Sequence, residues 1–427
     1  MRYLRSMLNE ASIRAVNAAV WRAPFVRPLY DSYCFANLPA AIYHALTGEG
    51  APGLPDDVFG DLPRRYEAVV LFFVDGFGWR YFEKIADRYP LLQHFVRHGV
   101  VSKLTAQFPS TTAAHVTCIH TGLPPARSGV YEWFQYQPAL DRIIAPLLFS
   151  FAGEKTRDTL TNAGLKPADV FPTDTLYQRL SRAGVKSFLF HPREFADAAP
   201  TRVLNENAKS LSYKTLPEGL VNLRRAVEKR DGPAYFLVYY GAIDGIGHEY
   251  GPTSEHIEAE LDQFCVVVER LFLDRLRDNS VLLILTADHG MVEINPKTTV
   301  YLNHTLPRFR DYIATNRQGE LLIPAGSPRD FFLHVKPERL DEAQAVIGEH
   351  LQGKAIVVKT ETLIAEGFFG PSPSACFLER VGNLVVLPFK GESVYYYERE
   401  KFENRYYGHH GGLTREEMEI PLLMCVP

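Results

Sequence analysis

The sequence predicts an α/β fold in which helices cover both faces of a mostly parallel central sheet. Four apolar runs bounded by turn residues are typical of buried strands, and they are Ala68–Val74, Lys186–Phe190, Tyr235–Tyr240 and Val281–Thr286. Helix-like segments separate these runs, and alternating strands and helices indicate an α/β sheet. Three of the runs are followed within four residues by an aspartate, as expected where the carboxyl ends of strands form a ligand site.

The helices between these strands are predicted from spacing and from stop residues. Leu176–Ala183 is helical and closed by Gly184, and Ala113–His120 is a helix with Gly122 as its stop. The longest is Glu255–Arg277. Its apolar residues recur at intervals of three and four, at Ile257, Leu261, Phe264, Val268 and Leu271.

The chain is predicted to form one catalytic core that an insertion interrupts. Residues 1–60 form an N-terminal helical arm, in which the segment 8–21 is read as a helix docked on its own domain in preference to one lying on a membrane surface. Residues 61–291 form the core, and residues 391–427 complete it. Residues 292–390 are read as a small α+β cap, because the runs FFLHV, ERLDEAQAVIGEHL and AIVVKT indicate strand, helix and strand.

Composition and charge limit the possible partners. Hydrophobic residues make up 46% of the 427 residues and charged residues 22%, as in an ordinary globular protein. The net charge of -4 argues against a protein that binds nucleic-acid polymers non-specifically, since such proteins are strongly basic. Any anion must therefore be bound by a local site. The sequence does not indicate an oligomeric state.

The cysteines and the N-terminal segment bear on the cellular compartment. The five cysteines are scattered and form no CxxC pair, which favours a reduced, cytoplasmic protein. No apolar run of signal-peptide length or membrane-spanning length is present in the sequence. A periplasmic or secreted location is the alternative if a leader is missing.

Acidic residues at the strand ends are accompanied by histidines. The aspartates are Asp75, Asp244 and Asp288, and the histidines are His248, His289 and His410. A single aspartate here is usually a helix cap or turn residue, and a lone histidine is usually structural. Together they favour a dinuclear metal site, since Asp and neutral His are ligands of Zn²⁺ and also suit Mn²⁺ or Fe.

A candidate nucleophile lies between the first and second aspartate. In the run FPSTTAAH, Pro109 and the hydroxyl residues mark a turn, and Thr112 lies at or beside a helix N-terminus. Free backbone N–H groups there favour a phosphoryl oxygen or an alkoxide. For this segment in isolation, simple helix capping is the favoured explanation of the hydroxyl residues. Beside metal ligands, which can activate a hydroxyl, the nucleophile interpretation is favoured.

Five motifs together resemble the alkaline phosphatase superfamily, and within it the type I phosphodiesterase/nucleotide pyrophosphatase family. They are the strand ending in Asp75-Gly76, FPSTT followed by TGLPP, D-x-x-G-H-x-x-G-P, A-D-H-G-M and H-G-G. The resemblance implies a three-layer sandwich, two zinc ions and a covalent phosphothreonine intermediate. One zinc would be held by Asp244, His248 and His410. The other would be held by Asp75, Asp288, His289 and the Thr112 oxygen.

Position within the family's motifs selects between neighbouring residues. Counting forward from Pro109 and back from Thr121 both indicate Thr112 as the nucleophile, and the ligand directly precedes glycine, which favours His410 over His409. The sequence departs from the family pattern at His115, where an asparagine usually contacts a phosphate oxygen. Its final motif is also His-Gly-Gly rather than His-Gly-Tyr. Both departures bear on the substrate.

The expected function is hydrolysis of phosphoric diester or phosphoanhydride bonds in a small phosphate ester or nucleotide. His115, Trp133 and Tyr136 are candidate substrate contacts, although the aromatic residues could equally pack in the core. The alternatives are a phosphomonoesterase or phosphonate hydrolase on the same scaffold, and a metal-bound binding protein without turnover. A sulfatase is disfavoured, because no cysteine has the Pro and Arg spacing that formylglycine formation requires.

Overall fold

A seven-stranded sheet forms the centre of the computed structural model, which describes residues 8–427. The strands of the two larger sheets are β1 Ala68–Val74, β2 Gly99–Thr105, β3 Lys186–Pro192, β4 Lys209–Tyr213, β5 Ala234–Tyr240, β6 Val281–Thr286, β7 Ala325–Ser327, β8 Asp330–Leu333, β9 Ala355–Lys359, β10 Leu384–Pro388 and β11 Glu419–Cys425. The central sheet has the order β2-β11-β6-β1-β5-β3-β4, and only β11 runs antiparallel to its neighbours. The predicted mostly parallel sheet is confirmed.

Helices cover both faces of this sheet. Those of six or more residues are α1 Glu10–Ala18, α2 Leu38–Thr47, α3 Trp79–Ile85, α4 Pro90–His98, α5 Thr112–Thr121, α6 Leu176–Arg182, α7 Ala199–Leu204, α8 Leu216–Glu228, α9 Ala242–Tyr250, α10 Glu255–Leu271, α11 Leu340–His350, α12 Thr360–Ala365 and α13 Ala375–Arg380. Helices α2, α5 and α6 pack on one another, and α4, α8 and α9 pack on α10. Every residue of β1 and β6 is buried, as two covering layers require.

The long helix differs from its prediction at the C-terminal end. It ends at Leu271 instead of Arg277, because Phe272 leaves the helical backbone with φ -122° and ψ -67°. The Phe272 side chain is fully buried, and Leu273–Arg275 then form a short 3-10 turn. The helix therefore ends at Leu271, the last of the apolar positions that predicted it, and the predicted bound at Arg277 is wrong.

A second, antiparallel sheet lies in the region 292–390, with the order β7-β8-β10-β9. Helix α11 packs on β9. Side chains on one face of this sheet, such as Phe332 and Val385, join the main core, whereas Phe331 and Val386 belong to a separate apolar cluster. The boundaries of the four predicted segments stay a prediction.

The N-terminal segment runs along the edge of the central sheet. Asn9 caps α1, and its backbone N–H donates to the Val101 carbonyl of β2 at 2.8 Å. The Lys103 N–H donates to Ser12 Oγ at 3.0 Å. These contacts place α1 against strand β2, while residues 1–7 of the predicted arm lie outside the described residues. Among residues 8–427, we find no helix with the length and apolarity that a membrane crossing requires.

Candidate metal centre and active site

The three predicted aspartates meet because their strands are neighbours. Strand β1 lies between β5 and β6, with Leu71 opposite both Leu237 and Ile284. Asp75 follows β1 directly, Asp288 follows β6, and Asp244 lies in the first turn of α9 after β5. The parallel strands end at the same edge, so the three carboxylates come together there.

The three histidines reach this edge by different routes. His289 follows Asp288 in the chain, and His248 lies one helical turn after Asp244 on α9. His410 comes from the end of the chain. Its segment pairs with the strand after His289, where Val292 lies opposite His409, and Gly411 pairs with Ser110 beside the nucleophile segment.

One half of the site, the buried half, consists of Asp75, Asp288, His289 and Thr112. His289 Nε2 lies 3.3 Å from both Asp75 Oδ1 and Asp288 Oδ2. The Thr112 hydroxyl lies 3.2 Å from His289 Nε2 and 3.5 Å from each oxygen of Asp75. The predicted nucleophile is therefore in contact with the predicted ligands.

The other half, the open half, consists of Asp244, His248 and His410. Asp244 Oδ1 lies 3.4 Å from His248 Nε2 and 3.6 Å from His410 Nε2. The two halves adjoin, since the His289 and His410 rings stack with their centres 3.6 Å apart. His289 also lies within 4.8 Å of the ligand atoms of Asp244 and His410. Its 3.3 Å contacts to Asp75 and Asp288 assign it to the buried half.

Backbone hydrogen bonds fix the tautomer of each histidine. His248 Nδ1 faces the Gly408 carbonyl at 2.8 Å, His289 Nδ1 the Gly290 carbonyl at 3.0 Å, and His410 Nδ1 the Ser110 carbonyl at 3.0 Å. A carbonyl only accepts, so each neutral ring carries its proton on Nδ1. The Nε2 lone pairs are therefore directed at the site, as metal ligation requires.

In this arrangement, carboxylate oxygens and imidazole Nε2 lone pairs, which are all acceptors, lie next to one another. Asp244 Oδ1 and Asp288 Oδ2 are buried and have no hydrogen-bond donor, yet imidazole nitrogens lie 3.3–3.6 Å away. Buried acceptors without a donor are costly. A cation between the lone pairs would remove that cost, so these residues fit divalent metal ions.

The electrostatics of the side chains agree with a cation site. Burial raises the pKa of Asp244 and of Asp288 to about 7, and burial and the nearby Asp288 raise the pKa of Asp75 well above its usual range. Burial holds the pKa values of His289 and His410 well below normal. Within residues 8–427, no Lys or Arg nitrogen lies within 4.0 Å of these carboxylates. The missing positive charge is what metal ions would supply.

Thr112 is the first residue of helix α5. Thr111 is the N-cap with extended backbone, and Gly122 ends the helix in the left-handed conformation with φ 73°. The first N–H groups of the helix lie beside the Thr112 hydroxyl and have no partner within the helix, so they favour negative charge there. The structure thus places Thr112 where an oxyanion would be stabilised.

Two supporting residues were not foreseen from the sequence. The Tyr239 hydroxyl donates to Asp75 Oδ2, and burial, with Asp75 as the next cause, raises the pKa of Tyr239 well above normal so that it stays a donor. Ser110 holds the His410 loop, because its Oγ donates to the Gly412 carbonyl at 2.7 Å. The sequence did offer one indication of Tyr239, which lies near the end of the strand that precedes Asp244. Ser110 carried none, because its partners lie at the other end of the chain.

A cavity of about 530 Å³ opens beside the buried half. Asp75, Thr112 and Asp244 line it, as does Trp133, whose side chain is 36% exposed. Its remaining walls are mostly apolar and come largely from residues 189–216. Of the three predicted substrate contacts, only Trp133 reaches this cavity.

His115 and Tyr136 lie elsewhere. His115 is fully buried; its Nε2 accepts from the Gln107 N–H at 2.8 Å and its Nδ1 faces the Thr111 carbonyl at 2.8 Å. Burial lowers its pKa to about 3. Both ring nitrogens are thus engaged in holding the segment before α5. Tyr136 donates to Asp141 Oδ1 at 2.7 Å and is not among the residues that line the cavity.

An α/β sheet with a two-part Asp and His site at its carboxyl edge defines a class of metal-dependent enzyme scaffold. The model of the type I phosphodiesterase / nucleotide pyrophosphatase family matches residues 69–413. The chain therefore belongs to that family, as its motifs indicated.

The chain is similar to longer curated proteins. Over 278 residues it is 26% identical to ectonucleotide pyrophosphatase/phosphodiesterase family member 3 of Rattus norvegicus, covering 62% of this chain and 29% of the relative. Over 280 residues it is 25% identical to a venom phosphodiesterase of Macrovipera lebetinus, covering 62% and 30%. The aligned segment thus spans about a third of these relatives. Their names, with "ecto" and "venom", do not support the expected cytoplasmic location.

Solved structures share the fold. Murine ectonucleotide pyrophosphatase/phosphodiesterase 5 matches with a TM-score of 0.61 at 19% identity, covering 83% of this chain and 87% of that one. Phosphonoacetate hydrolase of Sinorhizobium meliloti, in complex with phosphonoformate, matches with a TM-score of 0.59 at 17% identity, covering 84% and 89%. These similarities confirm the alkaline-phosphatase-like three-layer fold.

Proposed function

We propose that the protein hydrolyses phosphoric diester or phosphoanhydride bonds through a covalent intermediate on Thr112, at a centre for two divalent metal ions, with Zn²⁺ as the expected ion. The convergence at the sheet edge carries this proposal. Three unprotonated imidazole nitrogens and three carboxylates face one another, with the Thr112 hydroxyl 3.2 Å from His289 Nε2. Asp75, Asp288, His289 and Thr112 would hold one ion, and Asp244, His248 and His410 the other.

Thr112 supplies the oxygen that attacks phosphorus. Two divalent ions at this centre would supply Lewis-acid stabilisation of the attacking and leaving oxygens. The Thr112 Oγ–phosphorus bond forms while the bond to the leaving oxygen breaks, and the hydroxyl proton passes to solvent. Water then attacks the phosphothreonine, which releases the product and restores the Thr112 hydroxyl. The start of α5 stabilises the negative charge on the transferred group.

The charge at the site favours ionisation of the Thr112 hydroxyl. The three carboxylates carry -3, so two divalent ions would leave +1, which favours loss of the Thr112 proton. Arg157 and Lys214 line the cavity beside Thr112, so positive charge is available to a substrate that carries more than one negative charge.

The relatives support a small nucleotide or phosphate ester as substrate. They are named as nucleotide pyrophosphatases and phosphodiesterases. One solved structure of murine ectonucleotide pyrophosphatase/phosphodiesterase 5 holds AMP. The apolar cavity beside Thr112 has room for such a group.

The proposal is tested by metal analysis of the purified chain together with a panel of aryl diesters, aryl monoesters and nucleotides. We expect two bound ions per chain and faster turnover of diesters. Thr112→Ala should keep the metal and lose turnover, while Thr111→Ala, the matched neighbour, should keep both. Full activity of Thr112→Ala would exclude the covalent route, and faster monoester turnover would favour a phosphomonoesterase.

A further inference from the structure

An exposed aromatic side chain borders the open half of the candidate metal centre. Tyr406 is 49% exposed, and its ring centre lies 4.9 Å from that of His248 and 6.1 Å from that of His409. An exposed aromatic face beside the candidate metal centre is available for stacking on a planar ligand. The neighbouring Tyr407 is 47% exposed but has no aromatic neighbour within the described part of the chain.

The position of Tyr406 is set by the same contacts that set His248. The Tyr407 N–H donates to the His248 carbonyl at 2.8 Å, and His248 Nδ1 faces the Gly408 carbonyl at 2.8 Å. The Tyr406 N–H donates to Asn404 Oδ1 at 3.3 Å. These contacts fix the backbone that carries Tyr406 beside His248, and the ring itself packs against the His248 ring.

The large cavity does not include this ring. Thr112, Asp75 and Asp244 line the cavity, whereas His248 and Tyr406 do not. In an in-line displacement the leaving oxygen is opposite the attacking oxygen. With Thr112 in the buried half, the leaving oxygen is directed to the open half, which Tyr406 borders.

We propose that Tyr406 stacks on the leaving group and selects planar aromatic leaving groups, either an aryl alcohol or a nucleoside, over alkyl alcohols. This inference rests on the proposed function, because the direction of the leaving group follows from attack by Thr112. The interaction needs only a π face, since nothing at Tyr406 reads a particular base. The cavity beside Thr112 would then receive the part of the substrate that stays on phosphorus.

The test compares three variants on diesters that share one retained group. The leaving group is an aryl alcohol, a nucleoside or methanol, and each arm is measured separately so that aryl and nucleoside recognition are distinguished. For every substrate the kcat/KM of the variant is divided by that of the wild type, so differences in intrinsic reactivity cancel. Bound metal is measured on each variant.

We expect Tyr406→Ala to lower kcat/KM about five- to tenfold for planar leaving groups, the order of one aromatic contact. The methyl ester should change less than about twofold on the same reasoning, because it has no ring to stack. Tyr406→Phe should match the wild type, and Tyr407→Ala is the matched control, also near wild type. If Tyr406→Ala lowers kcat/KM for only the aryl diester or only the nucleoside diester, that result identifies which leaving group Tyr406 recognises.

Two results would overturn the inference while leaving the proposed function intact. One is that Tyr406→Ala lowers kcat/KM equally for all three substrates and also loses bound metal. Tyr406 would then act by holding His248 in place. The other is no fall at all. If the wild type hydrolyses none of the esters, the proposed function fails first, and the inference fails with it.

Discussion

The two halves of the candidate metal centre differ in burial and in the elements that carry their ligands. In the buried half, the side chains of His289 and Asp288 are fully buried and that of Asp75 is 3% exposed. In the open half, Asp244 and His248 are each 16% exposed and His410 is 11% exposed. Asp75, Asp288 and His289 of the buried half follow strands of the central sheet, and Thr112 begins helix α5 beside them. The open half uses a helix and a loop from the chain's end.

This difference suggests a division of labour. Attack requires an oxygen held in one place, and the Thr112 hydroxyl contacts Asp75 and His289, which follow buried strands of the central sheet. Departure of the leaving group and entry of water require access, and the open half has it. Mutations in the two halves should therefore have unequal effects.

The largest effect is expected from the buried half. Asp288→Asn should lower kcat/KM on the order of a thousandfold, because it removes charge beside the attacking oxygen. His248→Gln in the open half should cost on the order of a hundredfold, as Thr112 keeps its surroundings. Bound metal per chain should fall in both variants. His409→Gln is the control and should keep both ions. Equal losses of activity in Asp288→Asn and His248→Gln would contradict the division of labour between the two halves.

The buried ion pair between Arg329 and Glu417 contacts the loop that carries His410 in the open half. Glu417 accepts from Arg329 Nε at 3.0 Å and Arg329 Nη2 at 2.9 Å, and it also accepts from the Gly412 N–H at 3.0 Å, two residues after His410. Both side chains are fully buried. Glu417→Gln should therefore lower the free energy of unfolding by about 3–5 kcal/mol in urea titrations, since it leaves the Arg329 charge uncompensated.

Glu416→Gln provides the matched control for that variant. Glu416 pairs with Lys390 at 2.7 Å, and the Lys390 side chain is 66% exposed. An ion pair of this kind contributes only about 0–1 kcal/mol. If both variants cost the same, the buried pair does not stabilise the His410 loop in the way that its contacts indicate.

The smallest effect concerns pH and the buried acid Glu132. Burial raises the pKa of Glu132 to about 7. An acid whose folded pKa exceeds its unfolded value contributes stability below the unfolded value, and that stability is lost as the pH rises through the folded value. For metal-saturated protein, the free energy of unfolding should therefore decline between about pH 5 and pH 8.

The variant Glu132→Gln tests whether Glu132 causes this decline in the free energy of unfolding. The glutamine has no proton to lose, so the decline in unfolding free energy across that range should become shallower. Urea titrations at several pH values measure it. A decline of unchanged slope in the variant would show that another group causes it.

Much of the buried half could be predicted from the sequence. A strand covered on both faces appears as an uninterrupted apolar run, so β1 and β6 have the bounds that their runs predicted. Their aspartates follow at once, and His289 adjoins Asp288. Local order along the chain was therefore sufficient to indicate these ligands.

The supporting contacts could not be predicted in the same way. Ser110 pairs with Gly411 from the far end of the chain, and Arg329 pairs with Glu417, which follows it by 88 residues. Such contacts depend on the three-dimensional path of the chain and leave no periodic signal. The helix ending at Leu271 was also missed, because burial of Phe272 is decided by tertiary packing.

The central claim is attack by Thr112, and the stereochemical course at phosphorus tests it most directly. A diester made chiral at phosphorus with sulfur and an oxygen isotope would be hydrolysed, and the configuration of the product determined. Each in-line displacement inverts phosphorus, so a covalent intermediate on Thr112 predicts overall retention. Inversion would show a single displacement by water and would contradict the account.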